Sequence, residues 1–351
     1  MSVKIFGLND GYGLGVSTTE GWINELTVSE ALSNGTEYLK IIRGYETSTV
    51  ALSPEGKLFV LMYGETVLET IEKEEEKFVD ISCGFNHFLA VNKEQNKVYS
   101  WCYDQTGCQF GQLGHNNTDK VDQPTEITFF TKLGIKIKQI CCSAYSSFVL
   151  LENNDLYAFG FNLHSDLGFS DKKSKQLLPI KVISNCQKVF NSGFSRHSFY
   201  LDTQNKLWGF GFNGNGQFGT GNLKHLTIPT QIGFFDQKEI SNVLTNTCSS
   251  IVLLKNGNLF SAGFAGTNGF SKASEVFQQI EIPKIKKIYG GYYYTICLST
   301  ENELYAFGYS DSYYYKYQQN GVVIKIPFTF KNKNFKIFCG GATVSCFIVE
   351  N

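Results

Sequence analysis

The side chains that could do chemistry are placed in a way that argues against a reaction centre. The five histidines, His87, His115, His164, His197 and His225, fall in separate parts of the chain with no pair at metal-ligand spacing. The ten cysteines include no C-x-x-C pair, and most sit inside apolar runs. A reduced cysteine in such a run is a small buried hydrophobe, which reads as free thiols in a reducing compartment. Residues 209–214, GFGFNG, match G-x-G-x-x-G, and so do 214–219. A dinucleotide site needs a helix after that turn, its N-terminus facing the pyrophosphate, and no helix is readable after Gly219. The chain has neither G-x-x-x-x-G-K-[ST] nor G-x-S-x-G, and ionisable residues are sparse around the glycine-bearing elements, so no acid–base pair stands out for hydrolysis. The expectation is a protein with no metal, no cofactor and no hydrolytic or redox site.

What recurs is a pattern of short strands and tight turns. In residues 207–232, LWGFGFNGNGQFGTGNLKHLTIPTQI, an apolar strand leads to a Gly- and Asn-rich turn, an apolar plug at Phe218, and a second strand carrying Pro229. Gly and Asn tolerate positive φ, so such a run makes fixed turns where bulkier residues would be strained. The order repeats from openings near 3, 58, 98, 156, 207, 259 and 304, a period of about 50 residues that marks a repeat architecture. A second element precedes most openings, as in SCGFNHFLAV near Gly84, SGFSRHSFYL near Gly193 and YGGYYYTICL near Gly291. Apolar runs of four to seven residues rich in Val, Ile, Phe and Tyr are strand grammar; only residues 27–32 hint at a helical stripe.

A strand, then G-x-N-x-x-G-Q-L-G, then P-T-x-I, then C-G-x-x-H, resembles the RCC1 (regulator of chromosome condensation) repeat. The resemblance spans nearly the whole chain and is strongest in repeats three to five. It implies an all-β fold, a seven-bladed β-propeller of four-stranded blades forming one domain over residues 1–351. The count of strands implies closure by both termini, with residues 1 to about 30 giving two strands of one blade and about 333–351 the other two. The glycines at 84, 193, 290–291 and 340–341 are read as lying just before the inner strand, where blades converge and larger side chains would meet neighbouring backbone.

In this family the best-known activity is guanine-nucleotide exchange on the GTPase Ran, through a wedge inserted from one blade. Repeat three has extra residues before its G-Q-L-G, and loop 103–110, with Tyr103, Asp104, Gln105, Thr106, Gln109 and Phe110, matches that wedge in place and length. Where exchange-competent members carry acidic residues, this chain has Phe85 and Asn86, then Ala144 and Tyr145. Tyrosine is concentrated at Tyr292, Tyr293, Tyr313, Tyr314 and Tyr315, and tyrosine is favoured at interfaces. Two readings stay open: an exchange regulator of a small Ran-like GTPase, and a non-enzymatic scaffold or adaptor that binds a protein partner, as a monomeric propeller or a subunit of a complex. A photoreceptor of the plant kind is disfavoured because Trp22, Trp101 and Trp208 fall in separate repeats.

The net charge of −1 argues against a general nucleic-acid surface, and no apolar run is long enough to span a membrane. Residues 1–7 already read as a strand, leaving no room for a signal peptide. The expected location is the cytoplasm, with the nucleus as the alternative. The acidic run 72–77, EKEEEK, reads as a solvated loop.

Overall fold

The computed structural model describes residues 2–8, 22–29, 31–33, 35–44, 48–62, 65, 67–71, 76–170, 174–308, 322–326, 330, 335–340 and 345–350. Their strands form seven sheets of four antiparallel strands each. The first strands of successive sheets, Lys40–Arg43, Phe78–Cys83, Ile137–Cys142, Cys186–Phe190, Ile240–Thr245 and Ile285–Gly290, each touch the next. Phe335–Gly340 then touches both Ile285–Gly290 and Lys40–Arg43, so the contacts close into a ring. The fold is a seven-bladed propeller, and the blades are numbered one to seven here by the order of their third strands.

Blade one holds both ends of the chain. Its strands run Phe335–Gly340, Ser345–Glu350, Ser2–Leu8 and Trp22–Val28 from the inside out. The second and third of these pair antiparallel from Ser2 opposite Glu350 to Gly7 opposite Ser345. Joining the termini this way removes the sheet edges that an open array would expose.

The cores lie between blades. Phe88 and Ala90 pack against blade two beside Val50 and Val60, whereas Leu89 and Val91 pack against blade four beside Phe130 and Phe159. Every residue of His87–Asn92 is consequently buried. Alternation at period two still operates, but both faces are apolar, so these strands read as continuous hydrophobic runs.

The third strands of blades two to seven begin at Leu58, Val98, Leu156, Leu207, Leu259 and Leu304. Two local readings differ. The inner strand lies before the recurrent glycine rather than after it, since it is Phe78–Cys83 and its equivalents that make the ring contacts. Residues 27–28 end the strand Trp22–Val28 instead of starting a helix, and the one α-helix among the described residues is Thr128–Leu133, a short connector closed by Gly134 at φ 66°. Of the acidic run, 72–75 lie outside the described residues. Glu76 is tied down, accepting from Lys97 Nζ at 2.7 Å and Tyr99 OH at 2.6 Å.

Candidate functional site: an aromatic end of the ring

Because strand direction alternates, the turn from first to second strand and the loop from third to fourth strand open at the same end of the ring. The turns from second to third strand open at the other. That other end is charged: Glu55, Lys57, Lys93, Glu94, Glu152, Lys206, Lys255 and Glu301 are exposed there.

The first end is aromatic. In blades three to seven its inner turns read GFN, SAY, NSGFSR, NTC and GYY, with Arg196 as the sole charge. Their rings meet across the mouth of the central channel. Phe85 of blade three lies 4.9 Å from Tyr145, 5.7 Å from Phe194 and 5.7 Å from Tyr292 between ring centroids, thereby linking blades three, four, five and seven. Tyr292 stacks edge-on to Tyr293 at 4.1 Å. Offset and edge-to-face pairs of this kind contribute about 0.5–1.5 kcal/mol each beyond their buried area. Backbone bonds tie the same turns together, Phe85 N–H to Ala144 O at 3.0 Å and Ala144 N–H to Ser195 O at 3.0 Å.

Small residues permit this approach. A Cβ on Gly193 would sit 2.2 Å from the Cys83 carbonyl oxygen, and one on Gly84 would sit 2.1 Å from the His87 ring. The second clash explains the spacing of glycine and histidine in C-G-x-x-H: the imidazole folds back over the glycine. From there His87 Nε2 reaches Ser147 Oγ of the next blade at 3.1 Å, and His197 Nε2 reaches Ser250 Oγ at 2.7 Å. Both rings are fully buried, and burial pushes their pKa values down to about 3. They are neutral inter-blade pins with no exposed face to offer a substrate.

The loop 103–110 belongs to the aromatic end and is folded back on it. Asp104 accepts from Thr106 N at 2.7 Å and caps the 3-10 turn Gln105–Gly107. Gln105 Nε2 donates to Thr118 O at 2.9 Å, Gln112 Nε2 donates to Thr106 O at 3.0 Å, and Asn86 Nδ2 bonds to Thr106 Oγ1. Tyr103 packs on Phe88 at 5.7 Å, and Phe110 packs on Tyr145 at 5.3 Å. Gln105, Thr106 and Gln109 remain exposed. Through Phe110, Tyr145 and Phe85 the loop is joined ring by ring to Tyr292. Two regions chosen from separate repeats are thus one surface. Tyr313, Tyr314 and Tyr315 lie outside the described residues.

Reading the sequence missed Phe194, Phe161 and Phe212 as members of this surface, and took Phe85 and Tyr145 only as substituted positions. Phe161 and Phe212 share a signal that could have found them: each follows the third-strand glycine, as do Phe264 and its 44% exposed ring. In the loops beyond, buried Asn162, Asn213 and Asn268 hold the turn. Asn213 Nδ2 donates to Asn222 O at 2.9 Å and Lys224 O at 3.0 Å, while its Oδ1 accepts from Phe218 N at 3.0 Å. That is the purpose of the asparagine in G-F-N.

A cleft of about 570 Å³ opens on the flank between blades two and three, lined by Val60, Met62, Tyr103, Lys120 and Asp122 among others. It holds no acid–base constellation. Among the described residues no three His, Cys, Asp or Glu side chains could hold a metal together, and no helix is long and apolar enough to cross a membrane.

Comparison with known proteins agrees with this geometry. The model of the regulator of chromosome condensation (RCC1) repeat matches residues 95–150 and 204–249. Each match begins near a third strand and ends in the second strand of the next blade, so the sequence repeat is offset from the structural blade. Over the whole chain, the human protein WBSCR16 superposes with a TM-score of 0.81 at 13% identity, covering 99% of that structure. Prp20p from Saccharomyces cerevisiae, whose structure was described together with its binding to Gsp1p and histones, superposes with a TM-score of 0.82 at 19% identity, covering 92% of that structure.

Two stretches of the chain thus carry the RCC1 repeat, and the whole chain shares the propeller fold of these structures. Among curated proteins, the ultraviolet-B receptor UVR8 of Arabidopsis thaliana is 28% identical over 240 residues, 65% of this chain and 52% of the receptor. The E3 ubiquitin-protein ligase HERC2 of Homo sapiens is 24% identical over 295 residues, 76% of this chain but 6% of the ligase. The chain therefore spans about half, or far less, of the length of these relatives. In this propeller Trp101 stacks on Phe88 at 5.3 Å in blade three, and Trp208 stacks on Tyr200 at 6.2 Å in blade five.

Proposed function

We propose that this RCC1-repeat propeller is a protein-interaction module that binds its partner with the aromatic end of the ring. The observation that carries this reading is the unbroken run of ring contacts from Phe110 through Tyr145 and Phe85 to Tyr292, set against an opposite end whose turns expose charged and polar side chains. Half-exposed aromatic rings held by their neighbours give large contact area with little entropy left to lose on binding. The free thiols among the described residues, most of them buried, favour a reducing compartment, cytoplasm or nucleus. The test places charge at each end in turn. Tyr145→Glu with Tyr292→Glu should abolish partner recovery in quantitative affinity capture, and Lys93→Glu with Lys255→Glu should not; the reverse pattern refutes the assignment of the face.

A second reading is nucleotide exchange on a small Ran-like GTPase. It is favoured by the position of loop 103–110 in blade three, at the same end as the aromatic turns. Exchange requires tighter binding to the nucleotide-free GTPase than to the loaded one, and a ten-thousandfold acceleration corresponds to roughly 5–6 kcal/mol of that preference. The loop's tethering and the aromatic residues at positions 85 and 145 support the scaffold or adaptor role instead. Release of a fluorescent guanine nucleotide from Ran, with the intact protein and with loop 103–110 shortened, separates the two. A rate unchanged by stoichiometric protein removes exchange; acceleration that depends on the loop establishes it.

A further inference from the structure

Between blades four and five the aromatic end changes character. The Arg196 guanidinium lies over Phe161 at 4.9 Å and over Phe212 at 5.6 Å, while its Nε donates to Asp166 Oδ1 at 3.3 Å. The carboxylate is inside, with 3% of the Asp166 side chain exposed against 31% of Arg196. Asp166 Oδ2 is occupied by His164 N at 2.9 Å. The Nε bond is the one hydrogen bond Arg196 donates among the described residues, and Nη2 is buried without an acceptor. Arginine recognises carboxylates through its N–H groups; with Nε on Asp166 and Nη2 buried, a carboxylate can meet only the outer part of this guanidinium, whose side chain is 31% exposed.

The surroundings are cationic and apolar. His164 and His225 stack at 5.0 Å with planes 17° apart, and Phe212 lies 4.7 Å from His225. His225 Nδ1 accepts the Asn213 N–H at 3.1 Å, which leaves Nε2 as the donor of the neutral ring. Lys175 pairs across from Phe161 in the sheet, and Lys224 follows Leu223; both lysines are exposed. Within 161–170 and 212–225 the only acidic residue is Asp166, already spent on Arg196; the exposed Glu275 of blade six packs against the same loop at Gly216 and Gly221. Leu163 and Leu223, 60% and 48% exposed, flank the cluster. A chain of net charge −1 thus concentrates cations, free donors and apolar side chains at one inter-blade cleft.

We infer that this cleft seats an acidic, apolar-flanked peptide segment of the protein partner, with Arg196 gripping a carboxylate and Leu163, Phe212 and Leu223 receiving the neighbouring apolar side chains. The inference rests on the interaction reading above and gives its partner a chemistry. The cations are too few and too local to neutralise a run of nucleic-acid phosphates.

The test is fluorescence anisotropy on the intact protein with a short fluorescein-labelled peptide of alternating Glu and Leu. Its Gln-for-Glu isostere, a phosphoserine counterpart and an oligothymidylate serve as comparisons. The Glu peptide should bind, the Gln isostere should bind roughly tenfold more weakly, and Arg196→Gln should cost a similar factor. Arg196→Gln leaves Asp166 buried and unpaired, so Asp166→Asn with Arg196→Gln, checked for native circular dichroism, is the second variant and should show the same loss. Equal affinity for the Gln isostere, undiminished binding by the double variant, or tighter binding of the phosphopeptide or oligothymidylate overturns the inference. Tyr292→Glu with Tyr145→Glu in partner capture separates the two levels. If that pair abolishes capture while the Arg196 variants leave peptide binding intact, the interaction reading stands and this seat falls. If neither has an effect, both fall.

Discussion

At the scale of single residues the buried histidines carry the clearest consequence. His87 and His197 have folded pKa values pushed down to about 3 by burial, below the roughly 6.5 of an exposed histidine. Between those values the unfolded chain binds more protons, so the contribution of each ring is complete above about pH 6.5 and is lost as pH falls toward 3. The denaturant midpoint should therefore drop from pH 7 to pH 5, and the double variant His87→Gln, His197→Gln should show a shallower drop from a lower starting point. Parallel pH profiles for both proteins would mean that other groups set the acid sensitivity. The thiols lead to a second expectation. Burial pushes Cys83, Cys102 and Cys186 up to about 12 and Cys248 up to about 11, so little thiolate exists at neutral pH. Labelling of Cys102 and Cys186, both buried, by a thiol-exchange reagent should be slow in the native protein and rise to completion in denaturant, whereas rapid native labelling of these two would contradict their burial.

At the scale of the element, two glycines in one loop differ in what holds them. Gly211 ends a third strand at φ 106°, and a Cβ there would lie 2.6 Å from the Arg196 carbonyl oxygen; Gly221 has φ 77° with nothing within 4 Å. Both positions favour glycine conformationally, but only Gly211 also meets backbone. Gly211→Ala should cost about 2–3 kcal/mol by chemical denaturation and Gly221→Ala about 1 kcal/mol. Equal costs would mean that φ alone matters. The same elements show how far the sequence could be read. Third strands were legible because a leucine or valine opening, an apolar run and a glycine occur together in one short stretch. The inner strands were misplaced by one position in the blade, because two strands flank each recurrent glycine and only contacts between blades tell which lies inside. The aromatic end was legible only in pieces. Phe85, Tyr145, Phe194 and Tyr292 are neighbours solely because the ring brings their turns together, and no spacing along the chain encodes that. Residues 103–110 and 292–293 could be singled out by composition, but that they form one surface is a property of the closed ring.

At the scale of the whole molecule, closure decides stability. Each of the larger cores is shared by two blades, so a blade cannot be lost without opening two of them. Blade one is held by Ser345–Glu350 pairing with Ser2–Leu8, and its inner strand Phe335–Gly340 bridges blades seven and two. Deleting residues from 333 onward would leave Ser2–Leu8 and Trp22–Val28 as an isolated hairpin, which is marginal on its own. It would also expose Ile296 and Leu298 on one side of the gap and Ile41 and Ala51 on the other. The truncated chain should therefore fail to fold as a monomer, losing its cooperative thermal transition and aggregating on gel filtration. The aromatic end offers an internal control. Phe85, Tyr145 and Phe194 come from blades three to five, far from the cut, so an open array of independently stable blades would keep their near-ultraviolet circular dichroism signal and the binding that depends on them. A closed ring loses both together with its fold. Retention of either by a monomeric truncation would show that the blades stand without closure, and that the surface at the channel mouth needs only its own blades to form.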